Sequence, residues 1–299
     1  MLLAGTCYDP ATAVTKSVAT LIAMTAFDTT NLRLTFTVPA NGIVMVRIRC
    51  AVHGTTTFPT FHLGVLEGST VKGRVAPNGG VPGTNLATTI QAVEGLFTVS
   101  GLTPGASLTW DAAYGVETVT ATSGIKYGGP NNATANNAWG GLQFEIYSVP
   151  NCIASILYDP TTSVSKVTTA ALAMTAFDTT NLRAVFTAPA SGKVLVKIQC
   201  TTHGAATMAQ ILLGVLEGST VKGRVAPIGA LRTGASATTM TTRTAEFVVT
   251  GLTPGNSYTW DAAYGVVTLV ASTGIKYGGA NDTTTDNAFG GLLYEIWAV

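Results

Sequence analysis

Leu34-Thr35-Phe36-Thr37-Val38-Pro39-Ala40-Asn41-Gly42-Ile43-Val44-Met45-Val46-Arg47-Ile48-Arg49-Cys50 decides the class of fold. Its first five residues carry β-branched and aromatic side chains. Pro39 to Gly42 is a turn by composition, because Pro presets φ and Gly tolerates the left-handed region. The run after the turn alternates: Val44, Val46 and Ile48 share one face, and Arg47 and Arg49 the other. That period of two is the mark of a half-buried strand.

The same grammar continues downstream. His62–Leu66 and Thr70–Val75 flank Glu67-Gly68-Ser69 as a hairpin, and Leu96–Val99 runs into the tight turn Gly101–Gly105. Leu108–Tyr114, Thr118–Thr122 and Leu142–Val149 complete about eight strands. No stretch sustains the 3.6-residue apolar period of a capped helix. The glycine-rich segment from Asn78 to Ala92 reads as a surface loop. An all-β chain of antiparallel β-sandwiches follows.

The whole pattern then repeats. Shifted by 150 residues, the chain falls on itself without a gap, and somewhat over half of the paired positions are identical. Ala23–Arg33 recurs as Ala173–Arg183, Gly64–Pro77 as Gly214–Pro227, and Trp110–Val116 as Trp260–Val266. Solenoid units run to about 20–50 residues, so this repeat unit is a whole domain. The boundary falls between residues 150 and 151. Glu145–Val149 ends one copy and Pro150-Asn151 opens the next with no Gly/Ser spacer, so a fixed relative geometry is expected.

Composition narrows the function. Charged residues make up 10% of the 299, with a formal net charge of +1. The surface is therefore covered by Thr, Ser, Asn, Gly and Ala. No basic field is present to hold nucleic acid or an anionic membrane. Mean hydropathy is positive, +0.37, yet no apolar run approaches the roughly 18 residues of a helical membrane span. Met1–Thr6 lacks the basic and long apolar stretches of a signal peptide ahead of Cys7, so synthesis in the cytoplasm without secretion is expected. Of the four cysteines, Cys50 and Cys200 are equivalent, whereas Cys7 matches Leu157 and Cys152 matches Leu2. Free, mostly buried thiols are expected.

Three segments together resemble C1q/TNF-like jelly rolls. Phe36–Val46 resembles their F-x-x-P-x-x-G strand pair, Asp28-Thr29-Thr30-Asn31 the polar turn before it, and Phe289-Gly290-Gly291-Leu292-Leu293-Tyr294 their closing strand. Trp139–Phe144 occupies the closing place in the first copy. Such domains are typically trimers, and bacteriophages use similar jelly rolls in head decoration and tail proteins. The resemblance thus implies tandem jelly rolls, residues 1–150 and 151–299, in a virion structural protein. Val44 and Val194 stand where an aromatic is usual, and no collagen-like segment is present, so an extracellular signalling role is not implied. Gly251-Leu252-Thr253-Pro254-Gly255-Asn256-Ser257-Tyr258 also resembles a fibronectin type III segment, with Tyr258 as its tyrosine corner. Leu108 replaces that tyrosine in the first copy, and each copy is too long for that fold.

Candidate chemistry is sparse. Cys50-x-x-His53 and Cys200-x-x-His203 offer two zinc ligands per copy where four are usual. Asn281–Asn287 could offer oxygens to calcium through Asp282 and Asp286, but Asn131, Asn132, Asn136 and Asn137 in the first copy are uncharged. Asp111 with Glu145, and Asp261 with Glu295, are the carboxylates nearest aromatics, the pairing a glycosidase would need. No phosphate loop, dinucleotide glycine pattern or Ser/His/Asp order appears. No cofactor, no metal and no enzymatic activity are expected.

Assembly residues are the better candidates. Glu67, Lys72 and Arg74, with Glu217, Lys222 and Arg224, form the densest charge cluster, either pairing across the hairpin or bridging subunits. Tyr147 and Trp297 project from the last strand as aromatic anchors for a subunit contact. The expected partners are further copies in a homotrimer and other virion proteins such as a major capsid protein. The leading expectation is a capsid decoration protein. The alternative is a tail or fibre protein binding a receptor or carbohydrate through the 78–92 and 228–242 loops.

Overall fold

In the computed structural model, residues 1–16, 23–54, 61–77, 86–116, 124–129, 140–166, 173–204, 211–228, 236–266, 273–278 and 290–299 are described. Within them every regular element is a strand. The first copy contributes β1 (Leu2–Tyr8), β2 (Val14–Lys16), β3 (Thr25–Ala26), β4 (Arg33–Thr37), β5 (Val44–Gly54) and β6 (Phe61–Glu67). It continues with β7 (Thr70–Val75), β8 (Leu86–Val99), β9 (Ser107–Val116), β10 (Gly124–Tyr127) and β11 (Leu142–Ser148). The second copy repeats them as β12 (Cys152–Tyr158), β13 (Val164–Lys166), β14 (Thr175–Ala176), β15 (Arg183–Thr187), β16 (Val194–Gly204) and β17 (Ile211–Glu217). β18 (Thr220–Val225), β19 (Ser236–Val249), β20 (Ser257–Val266), β21 (Thr273–Tyr277) and β22 (Leu292–Ala298) complete it.

Each copy is a jelly-roll sandwich of two antiparallel sheets. In the first, β5 is the hub of one sheet. One edge pairs with β8 along nearly its whole length; the other pairs with β11 and then β10, which carry β1 and β2 outward. The facing sheet runs from β3 and β4 through β9 and β6 to β7. The second copy reproduces both sheets strand for strand.

The alternation of the strand after Gly42 is realised as read. Val44, Val46 and Ile48 are fully buried between the sheets, and Arg47 and Arg49 lie outside with Glu94. Trp110 and Trp260 fill equivalent centres, each edge-on to a phenylalanine, Phe36 and Phe186. The Pro39–Gly42 turn closes with Gly42 N–H donating to the Pro39 carbonyl at 2.9 Å, at a φ of 65°. A side chain at Gly42 would strike the Leu102 carbonyl, so this glycine also lets two turns touch. Asp28 caps the polar turn, its carboxylate accepting from the backbone N–H groups of Thr30 (2.8 Å) and Asn31 (2.9 Å), and Asp178 does the same in the second copy.

Two readings are corrected. The first strand, Leu2–Tyr8, was not anticipated, because without a partner its sequence shows no clean alternation. The 78–92 loop is shorter than expected: β8 begins at Leu86, where its ladder with β5 carries the strand beyond the alternating segment. The free, mostly buried thiols expected are found: Cys50, Cys152 and Cys200 are buried, Cys7 is exposed, and all four are free. Thr118–Thr122 lies outside the described residues.

Candidate functional site

The two sandwiches join through a β-turn. Val149 accepts from the Cys152 N–H at 3.0 Å around Pro150-Asn151, the position where proline favours a turn. Asn41 Nδ2 donates to the Val149 carbonyl at 2.9 Å, tying the turn to the first sandwich. Ile43, Val149 and Cys152 are buried together, with Met45 and Trp297 packed against them. Trp297, expected as a subunit anchor, thus sits at the junction within its own chain, with its Nε1 donating to Glu295 at 3.2 Å. Its counterpart Tyr147 donates its hydroxyl to Glu145 at 2.8 Å.

Beyond the turn lies a broad contact that sequence reading did not find. The outer face of β12 and β22 packs on the edge of the first sandwich formed by β7 and β8. Leu293, from the second sandwich, belongs to the hydrophobic core of the first, and Leu157 packs against that core. Gly73 makes room for this: a Cβ there would lie 2.8 Å from the Phe97 ring and 2.9 Å from Leu157. Arg74, 2% exposed, donates from Nε to Asp159 at 2.6 Å across the boundary. Thr98 Oγ1 donates to Glu295 at 2.5 Å and accepts from the Ser155 hydroxyl, and Ser100 donates to the Ser155 carbonyl at 2.8 Å. Removing one partner of such a buried ion pair typically costs about 3–5 kcal/mol, since the other charge is left stranded. Apolar contact, ion pair and hydroxyl network together fix the two sandwiches as one unit.

Arg74 therefore takes a role different from its neighbours in the charge cluster. Lys72 pairs with Glu67 at 2.5 Å and Lys222 with Glu217 at 2.9 Å, both across their own hairpins and partly exposed. Exposed pairs of this kind contribute about 1 kcal/mol or less. Arg224 matches Arg74 in sequence but lies exposed. The signal for the interdomain pair was present in sequence only as Arg74 and Asp159 separately. Nothing local links residues 85 positions apart.

Of the four carboxylates considered for acid–base chemistry, Asp111, Asp261 and Glu145 are engaged with arginines, and Glu295 meets Lys197 at 3.9 Å. Asp111 accepts a two-point contact from Arg33 at 2.7 and 2.8 Å, and Asp261 the same from Arg183 at 2.7 and 3.0 Å. Asp111 and Glu145 stand on strands of opposite sheets, β9 and β11. Glu145 contacts Arg47 at 3.4 Å. Arg47 and Arg49 hold Glu94 below the usual carboxylate range against the opposing effect of its partial burial. Burial pushes the Cys200 thiol up to about 12 and raises Cys50 and Cys152 further, so these thiols are protonated at neutral pH. The side chains of His53 and His203, and the 281–287 loop with Asp282 and Asp286, lie outside the described residues. Among the described residues no cluster of three or more potential metal ligands occurs. Tyr258 does make the bond of a tyrosine corner, accepting from the Thr253 N–H at 2.9 Å, but it does so within a jelly roll.

No family model matches the chain, and no curated protein does. Among solved structures, the STIV MCP aligns over 96% of this chain and 95% of its own, at 12% identity and a TM-score of 0.32. The CBM22-1-CBM22-2 tandem domain of Paenibacillus barcinonensis Xyn10C aligns over 100% and 98%, at 11% identity and a TM-score of 0.23. The infectious bursal disease virus VP2 subviral particle aligns over 89% and 79%, at 9% identity and a TM-score of 0.22. At these scores the description of the fold rests on the chain's own strand pairing.

Proposed function

We propose that this chain is a non-enzymatic virion structural protein: a homotrimer of tandem C1q/TNF-like jelly rolls that decorates a bacteriophage capsid and binds its major capsid protein. The observation that carries this reading is the locked contact between the sandwiches. A duplicated domain whose copies share a core and a buried ion pair is a stiff building block, suited to a regular lattice. A surface with few charges supports the same role, because subunits pack closely without desolvating ions. The arginine-paired carboxylates in both copies are consistent with a structural use of the acidic residues.

Light scattering combined with small-angle X-ray scattering tests the proposal. A flat particle of three times the 30.6 kDa chain mass is the expected result. A strongly elongated trimer would favour a tail or fibre component instead, and a monomer at every accessible concentration would overturn the assembly reading.

A further inference from the structure

The two copies share one fold, yet their burial differs on two surfaces. On the first sandwich, Gly73 to Pro77 are all buried; their equivalents Gly223 to Pro227 are half-buried or exposed. Thr98 is 1% exposed, whereas its equivalent, Val248, is 54% exposed. On the other surface the inequality reverses. Ser155 and Leu293 of the second sandwich are buried, whereas Gly5 is exposed and Gln143 half-exposed at the equivalent places in the first. The cause is plain: each buried member lies under the other sandwich. The chain therefore carries one closed contact and, at its two far sides, one open edge (β18 with β19) and one open face (β1 with β11).

From this geometry we infer that a second copy of the chain docks its β1–β11 face on the β18–β19 edge, repeating between chains the contact made within one. The inference rests on the self-assembly reading above and names its surfaces. Three details of the open halves match each other. Arg224 stands on the edge and Asp9 on the face, the positions that Arg74 and Asp159 occupy in the closed contact. Thr98 and Ser155, which share a hydrogen bond in the closed contact, are replaced in the open halves by Val248 and Gly5. Both hydroxyls disappear together, so an apolar side chain meets a bare backbone and neither side buries an unsatisfied hydroxyl. Gly223 keeps the glycine that, at Gly73, lets the partner's side chain approach. Edge and face are different surfaces, so the contact is heterologous and propagates head to tail, closing into a ring or running on as a fibre.

Charge exchange in the full chain tests the contact. Arg224→Glu alone sets two carboxylates together, and Asp9→Arg alone sets two guanidinium groups together. Each single variant is expected to sediment at single-chain mass at a concentration where the wild type is assembled. The double variant, Arg224→Glu with Asp9→Arg, is expected to recover the assembled mass. Val248→Lys, with an unchanged circular dichroism spectrum, is expected to lose assembly without loss of fold. If wild type assembles and all these variants assemble equally, the surfaces named here are wrong while self-assembly stands. A wild type that stays monomeric overturns both.

Discussion

Single residues decide how the two sandwiches are held, and Glu295 shows the cost most clearly. Its counterpart, Glu145, keeps a fifth of its side chain in solvent, but Glu295 is 2% exposed beneath the first sandwich. Burial holds its carboxyl above the usual range, and Lys197 at 3.9 Å opposes this without cancelling it. The folded state therefore binds the proton more tightly than the unfolded chain, whose reference value is 4.5. Glu295 stabilises the fold most below that value, and its contribution is lost as pH rises through the raised folded value. Asp28 and Asp178 act in the opposite sense. Hydrogen bonds from the polar turn lower both, so their contribution is present above 3.8 and lost as pH falls below it. Thermal midpoints should decline from mildly acidic to neutral pH in the wild type. Glu295→Gln should lessen that decline, leaving the share of Asp159, whose carboxyl burial also raises, and keep the acid limb in place; an identical pH profile in the variant would refute the assignment.

At the scale of elements, most of what forms each strand is local, and what covers it is not. β11 and β22 have nearly the same alternation and pair the same way with β1 and β12. Their outward residues nonetheless meet different fates, since Leu293 is wholly buried and its equivalent Gln143 is not. Leu293→Ala should therefore destabilise by about 2–5 kcal/mol in urea unfolding, as expected for a buried leucine. Gln143→Ala should stay within about 0.5 kcal/mol, the usual range for a surface change. Equal effects at the two positions would remove the distinction between covered and open faces. Hairpins, turns and the Val44–Ile48 face were legible because their signals are contiguous. β1 was not, because a strand added to a sheet by its backbone hydrogen bonds needs no alternation of its own.

The whole molecule behaves as a pair of jelly rolls with a shared core. Leu293 and Leu157 extend the first core into the second sandwich, and the buried Arg74–Asp159 pair closes the seam. Two sandwiches coupled this way should melt together. Differential scanning calorimetry is expected to show one transition whose calorimetric and van't Hoff enthalpies agree. Two resolved transitions would mean that the seam contributes little and that the tandem is a flexible pair rather than a rigid unit.

Sequence by itself determined the all-β class, the gapless duplication, the turn positions and the tight junction at Pro150-Asn151. These follow from short-range chemistry: alternation, proline and glycine placement, and a repeat visible by eye. Only the tertiary structure decided that Arg74 and Trp297 serve the seam within the chain, and that Glu295 is buried whereas Glu145 is not. The physical reason is that burial belongs to surfaces assembled from distant segments. Equivalent residues in two copies of one fold carry the same local signal and acquire different roles only when one copy covers the other.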